Sequence, residues 1–239
     1  MPLERARLYM AELCLALSHL HDELQVIYRD VKPDNVLIDV KGHACLADFG
    51  LAKLAEGKAQ TVCGTPSYMA PEVIKSLPHD KAADWWGFGC LLCELIAGET
   101  PFAHDNPLMV QRNILKKAIE LPASLPPEAA ALVERMLDRD AAARLGSGPT
   151  GTAAVQAHPF WQPLNFEQVL QRGYQPLWLP PDEAAGPSAE PDESSAALPV
   201  DDSDESDDGQ PNGRGSMFRG FSYRRESMAG PRDSAASDH

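Results

Sequence analysis

The chain has 239 residues, 35 acidic against 21 basic, and a formal net charge of −14. That length allows one ordinary domain plus a tail, and the acid is unevenly placed: residues 182–208 hold 11 acidic residues and no basic one. Residues 1–181, with 21 acidic and 16 basic, have an ordinary globular balance, so no basic stripe marks a nucleic-acid surface and no nucleic acid is expected as partner.

Five cysteines (Cys14, Cys45, Cys63, Cys90, Cys93) are scattered and odd in number, which reads as reduced thiols rather than a disulfide framework. The Cys90-x-x-Cys93 pair lacks a second ligand pair and falls in a helical pattern, so it reads as packing rather than zinc. The first residues, "MPLERARLYM", are charged where a secretion signal would be apolar. The most apolar stretch, "WWGFGCLLCELIAG", is too short for a bilayer and contains Glu94. The expectation is a soluble cytoplasmic protein, with a nuclear location also open and no membrane span.

In chain order, residues 3–22 predict an amphipathic helix with Met10, Leu13, Leu17 and Leu20 on one face. "VIYRDVKPDN" reads as a charged loop between buried segments. "VLID" and "ACLA" flank "VKGH" as a short hairpin. From Asp84 to Ala97 a helix is apolar on nearly all sides, which places it in the middle of a domain. Further helical patterns follow at 107–119, 128–138 and 152–158, separated by proline or glycine. Residues 158–180 are aromatic and proline-rich, fitting an ordered surface strap. From Pro181 the composition is too polar to bury a core, and disorder is expected.

The chemistry gathers in "YRDVKPDN". Asp30 can orient a hydroxyl and take its proton, Lys32 can offset charge on a moving phosphoryl group, and Asn35 offers an amide oxygen. Asp48, in "ADFGLA" at the end of a strand pattern, adds a second hard oxygen ligand of the kind Mg²⁺ prefers. "APE" follows at residues 70–72.

In this order and at this spacing, the three motifs resemble those of eukaryotic protein kinases. "TVCGTPSYMAPE", "DWWGFGCLLCEL" and the Tyr28 variant "YRD" are similar to the AGC group of serine/threonine kinases. The resemblance implies a protein-kinase-like α+β fold: a mainly helical C-terminal lobe with a short β-hairpin near the catalytic loop, then a disordered acidic tail. It implies the C-terminal lobe over residues 1–160 and an AGC-type tail over 161–239, with 182–215 acidic and disordered.

The resemblance also implies roles. Asp30 would be the base and Lys32 its partner in transfer to serine or threonine. Asn35 and Asp48 would hold Mg²⁺ ions with ATP, and Leu37 would lie beneath the adenine. Thr61 would be the activating phosphorylation site, its phosphate bound by Arg29. Thr65 would bond Asp30 and Lys32 and favour serine or threonine acceptors, while Asp34 and Glu94 would receive a substrate arginine. Glu72 and Arg144 would form a buried ion pair, and Asp84 would brace the loop through its backbone amides.

A complete kinase also needs a small N-terminal lobe, and no glycine-rich loop, strand lysine and paired glutamate stand ahead of this catalytic loop. The expectation is therefore a fragment of a longer active kinase, with little or no phosphoryl transfer by these residues alone. The alternative is a catalytically dead regulatory protein that docks an activating kinase.

Near the end, "FRGFSY" (218–223) is similar to the hydrophobic motif of AGC kinases. Phe218 and Phe221 would be the docking rings and Ser222 the phosphorylation site, with an upstream activating kinase as partner. Replacing both rings (Phe218→Ala with Phe221→Ala) is expected to abolish capture of that kinase in a pull-down, and equal capture would remove the docking role.

Overall fold

Helix α1 (Leu3–Ser18) turns Ala6, Met10, Leu13 and Leu17 inward, so the stripe read from the sequence is the buried one. The computed structural model describes residues 1–55 and 63–180. Glu4 sits in the first turn of α1, where a negative charge suits the helix dipole. The helix predicted over 3–22 is not uniform: after Ser18 the backbone widens into a π-helical turn, His19–Glu23. That turn carries Leu20 and His21 into the interior.

Four short strands follow. β1 (Val26–Ile27) pairs antiparallel with β4 (Lys53–Leu54), and β2 (Val36–Ile38) pairs antiparallel with β3 (Ala44–Leu46). The second pair is the predicted hairpin, with Val36 opposite Leu46 and Ile38 opposite Ala44. The first pair joins residues far apart in sequence through two-residue strands, too short for an alternation pattern to mark. A single 3₁₀ turn, Pro33–Asn35, leads into β2.

The rest is helical: α2 (Pro71–Ile74), α3 (Ala82–Ala97), α4 (Pro107–Lys116), α5 (Pro127–Met136), α6 (Gly151–Gln156) and α7 (Phe166–Leu170). α3 is buried continuously from Ala82 to Cys93 and packs against both α1 and α5, which explains its all-round apolar surface. Asp80 Oδ1 accepts from Ala82 N at 3.0 Å to open α3, and Gly98 closes it in a left-handed conformation. Asn106 caps α4 and Asn165 caps α7 in the same side-chain manner.

Trp161 meets Phe88, Phe160 and Phe166 edge-on, fastening the aromatic strap to the core. Arg7 of α1 secures the same strap by donating to Phe160 O at 2.7 Å. Cys14, Cys90 and Cys93 are buried free thiols, and burial pushes the Cys93 thiol up to about 12.

Gly146, Gly148 and Gly151 have the spacing G-x-G-x-x-G, but the structure makes them a packed turn. Gly146 has φ +98°, and a Cβ there would stand 2.2 Å from the Trp85 ring. The spacing therefore serves a turn folded down on a core tryptophan, not a phosphate cradle.

Glu72 and Arg144 form the expected ion pair, bidentate at 2.7 and 2.9 Å. Arg144 also donates to Ala82 O at 2.8 Å and Asp138 O at 2.9 Å, with its guanidinium over the Trp86 ring. The pair ties α2 to α3 and to the turn after α5. Arg144→Ala is expected to cost about 3–5 kcal/mol in urea unfolding, because Glu72 is left buried and alone.

Candidate active site

The loop between β1 and β2 is suspended from α3. The buried Asp84 carboxylate accepts from Tyr28 N at 2.8 Å and Arg29 N at 2.7 Å, as the sequence reading anticipated. His21 Nε2 lies 2.7 Å from the same carboxylate, with both side chains fully buried. The Tyr28 hydroxyl donates to Ala47 O, tying the loop to the end of the hairpin. Burial pushes the Tyr28 phenol above its ordinary range, with Asp30 adding to the effect. Arg29 has φ +71°, an unusual conformation for a non-glycine residue, and the Asp84 bonds hold it there.

Asp30 is buried, and one of its oxygens is fully engaged. Oδ2 meets Lys32 Nζ at 2.7 Å and accepts from Asn35 Nδ2 at 2.8 Å. Asn35 Nδ2 also donates to Asp30 O at 2.9 Å. Both amide hydrogens of Asn35 thus face Asp30, leaving its oxygen for another ligand. The hydrogen bond to Asp30 holds the Lys32 ammonium above the usual lysine range.

Asp48 lies just beyond β3 with φ +51°, and its Oδ1 accepts from Gly50 N at 2.9 Å. Ala47 N donates to Asn35 O at 2.9 Å, so one backbone bond links the neighbourhoods of the two candidate ligands. Leu37, in the middle of β2, is 57% exposed, as a residue offered to a flat ring would be.

Gly64 returns the chain to this loop. At φ +103°, its hypothetical Cβ would stand 3.0 Å from Arg29 O and 3.6 Å from Asp30 Oδ1. Thr65 therefore lines a cavity with Asp30, Arg29 and Cys63. Lys32, the other partner expected for Thr65, meets Asp30 Oδ2 at 2.7 Å. Arg29 Nε donates to Leu51 O at 2.6 Å, while its Nη1 is buried without a partner among the described residues. Thr61, its expected phosphorylated partner, lies outside the described residues, as do Phe218, Phe221 and Ser222.

Asp34 is exposed beside the loop. Glu94 of α3 accepts a hydrogen bond from the Tyr68 hydroxyl, and partial burial, followed by Glu94, pushes the half-buried Tyr68 phenol above its ordinary range.

The sequence pattern of the protein kinase domain matches residues 1–161. The chain belongs to the protein kinase family. It is 41% identical over 176 residues to cAMP-dependent protein kinase type 3 of Saccharomyces cerevisiae, covering 74% of this chain and 44% of that one. It is 43% identical over 177 residues to the Arabidopsis thaliana serine/threonine-protein kinase AtPK2/AtPK19, covering 73% and 37%. It is 42% identical over 180 residues to human ribosomal protein S6 kinase alpha-3, covering 74% and 24%. These relatives are serine/threonine kinases of the AGC group, as the motifs led one to expect. The chain spans less than half the length of each.

A protein-kinase-like fold follows, and the family implies ATP with a divalent cation, typically Mg²⁺. The donor chemistry fits such a cation: Asp48 would supply a carboxylate, and Asn35 an amide oxygen, its Nδ2 being engaged with Asp30. When bound, such a cation would offset phosphate charge.

Two neighbours of the candidate residues, His21 and Tyr68, carry no sequence signal of their own. His21 stands 63 residues from Asp84, and Tyr68 stands 26 residues from Glu94, so only the folded chain brings each pair together. Asp84→Asn is expected to reduce hydrogen-exchange protection at the Tyr28 and Arg29 amides by about 1.5–3 kcal/mol, the range for a hydrogen bond to a charged group. Unchanged exchange there would show that Asp84 does not hold the loop.

Proposed function

We propose that the chain forms the large-lobe half of a serine/threonine protein kinase site, which transfers the γ-phosphoryl group of ATP to proteins bearing arginine before the acceptor. The observation that carries this reading is the state of Asp30. Its Oδ2 is held by Lys32 and Asn35, and its Oδ1 is left to receive the proton of an incoming hydroxyl. Lys32 stays charged beside it. Asn35 and Asp48 hold the cation, and Leu37 supports the adenine. Thr65 lines the acceptor's approach.

Asp34 and Glu94 receive the substrate arginine, and the Tyr68 hydroxyl orients Glu94 for that contact. A phosphate on Thr61 would satisfy the buried guanidinium edge of Arg29. The motif around Phe218, Phe221 and Ser222 is read as the docking site for an upstream kinase. The cytoplasm, with the nucleus, is the proposed place of action.

The experiment joins this chain to the small lobe of the Arabidopsis relative. Phosphate transfer from ATP to a serine peptide with arginines two and three residues before the acceptor is then measured. Transfer is expected from the chimera and not from the 239 residues alone. Asp30→Asn should lower it by roughly 10²–10⁴-fold. Glu94→Gln should raise KM for the arginine peptide and leave an arginine-free peptide unchanged. A folded chimera indifferent to Asp30→Asn would overturn the reading.

A further inference from the structure

The β2–β3 hairpin carries the candidate cation ligands at its open end: Asn35 precedes β2 and Asp48 follows β3. Its strands have three residues each, and an isolated two-stranded hairpin is at best marginally stable in water. Something outside the hairpin must fix its geometry. The turn is partly self-closed, since Asp39 Oδ1 accepts from Lys41 N at 2.9 Å and His43 N at 3.0 Å. Arg172 reaches Asp39 from the strap at 3.0 Å, but that pair is half-exposed and weak.

The buried clamp comes from α1. Glu12 places Oε1 2.5 Å from His43 Nδ1, and its Oε2 accepts from Ala44 N at 2.7 Å. The Glu12 and His43 side chains are only 9% and 7% exposed. A carboxylate buried to that degree is tolerated only when paired and hydrogen-bonded. By gripping the side chain of one residue and the backbone of the next, it fixes where β3 begins and which way it faces.

We propose that Glu12 is a positioning residue for the cation-binding pair, acting through His43 and Ala44 to set Asp48 against Asn35. The inference rests on the reading of Asn35 and Asp48 as cation ligands. Residue alternation along a strand makes the link sensitive, because a one-residue slip of β3 reverses every side chain on it. Both anchors of the site then come from helices of one core. α3 holds the loop of Asp30 through Asp84, and α1 holds the hairpin through Glu12.

The test uses the full chain with Mn²⁺ and ADP, counting free Mn²⁺ by electron paramagnetic resonance. Circular dichroism and amide exchange at Ala44 are followed in parallel. Glu12→Ala is expected to weaken Mn²⁺ binding about 10-fold, the low end for losing a partner that orients a metal ligand, and to speed exchange at Ala44. Glu12→Gln, which keeps an acceptor for Ala44 N, should recover most of the binding.

Should Glu12→Ala fail to fold, His43→Leu removes one arm of the clamp and is expected to weaken binding while circular dichroism stays unchanged. Wild-type Mn²⁺ affinity in a folded Glu12→Ala or His43→Leu chain overturns the proposal. Asp48→Ala is the reference: if it too binds Mn²⁺ like the wild type, or the wild type does not bind, the cation reading itself falls.

Discussion

The loop that carries Asp30 hangs from the carboxylate of Asp84. It is buried at the start of α3, and its two oxygens take the backbone N–H groups of Tyr28 and Arg29. A buried anion with such bonds is directional in a way apolar contact is not, because misplacing the loop leaves the charge unsatisfied. His21 completes the arrangement from behind, packed edge-on to Trp85. The loop needs this hold, since Arg29 occupies a backbone region that side-chain-bearing residues avoid. The site is irregular backbone made rigid by a regular helix.

The same logic recurs at a second level. α3 can serve as an anchor because it is itself immobilised, sheathed on one side by α1 and on the other by α5. Arg144 then ties its beginning to Glu72 and to the turn after α5. The aromatic strap closes the body by setting Trp161 against Phe88. Loops that carry reactive groups are thereby mounted on packed secondary structure, which is how precision reaches segments with little structure of their own.

Much of this was legible from the residues. The all-round apolar helix, the hairpin around "VKGH" and the loop holding Asp30, Lys32 and Asn35 announce themselves through local pattern. The Asp84 brace and the Glu72–Arg144 pair were expected from resemblance, and the geometry agrees. What escaped were contacts without a local pattern: His21 with Asp84, Tyr68 with Glu94, Glu12 with His43. Each joins residues that are remote in sequence, and His21, Tyr68, Glu12 and His43 carry no local signal. The π-helical turn after Ser18 was also hidden, because apolar spacing alone did not distinguish it from a continued α-helix.

The acids around the loop have a further effect at long range. Asp30, Asp34 and Asp48 all act on the single ammonium of Lys32. Lys32 is already paired to Asp30, and Arg29 is committed to Leu51 O through its Nε. The remaining carboxylates, Asp34 and Asp48, would act on charged groups in solvent before any contact is made. On the proposed arginine-directed reading, a basic segment approaching within about 8–10 Å, the Debye length near physiological salt, would be drawn toward the loop. The encounter rate of such segments then falls as ionic strength rises, independently of the chemistry that follows.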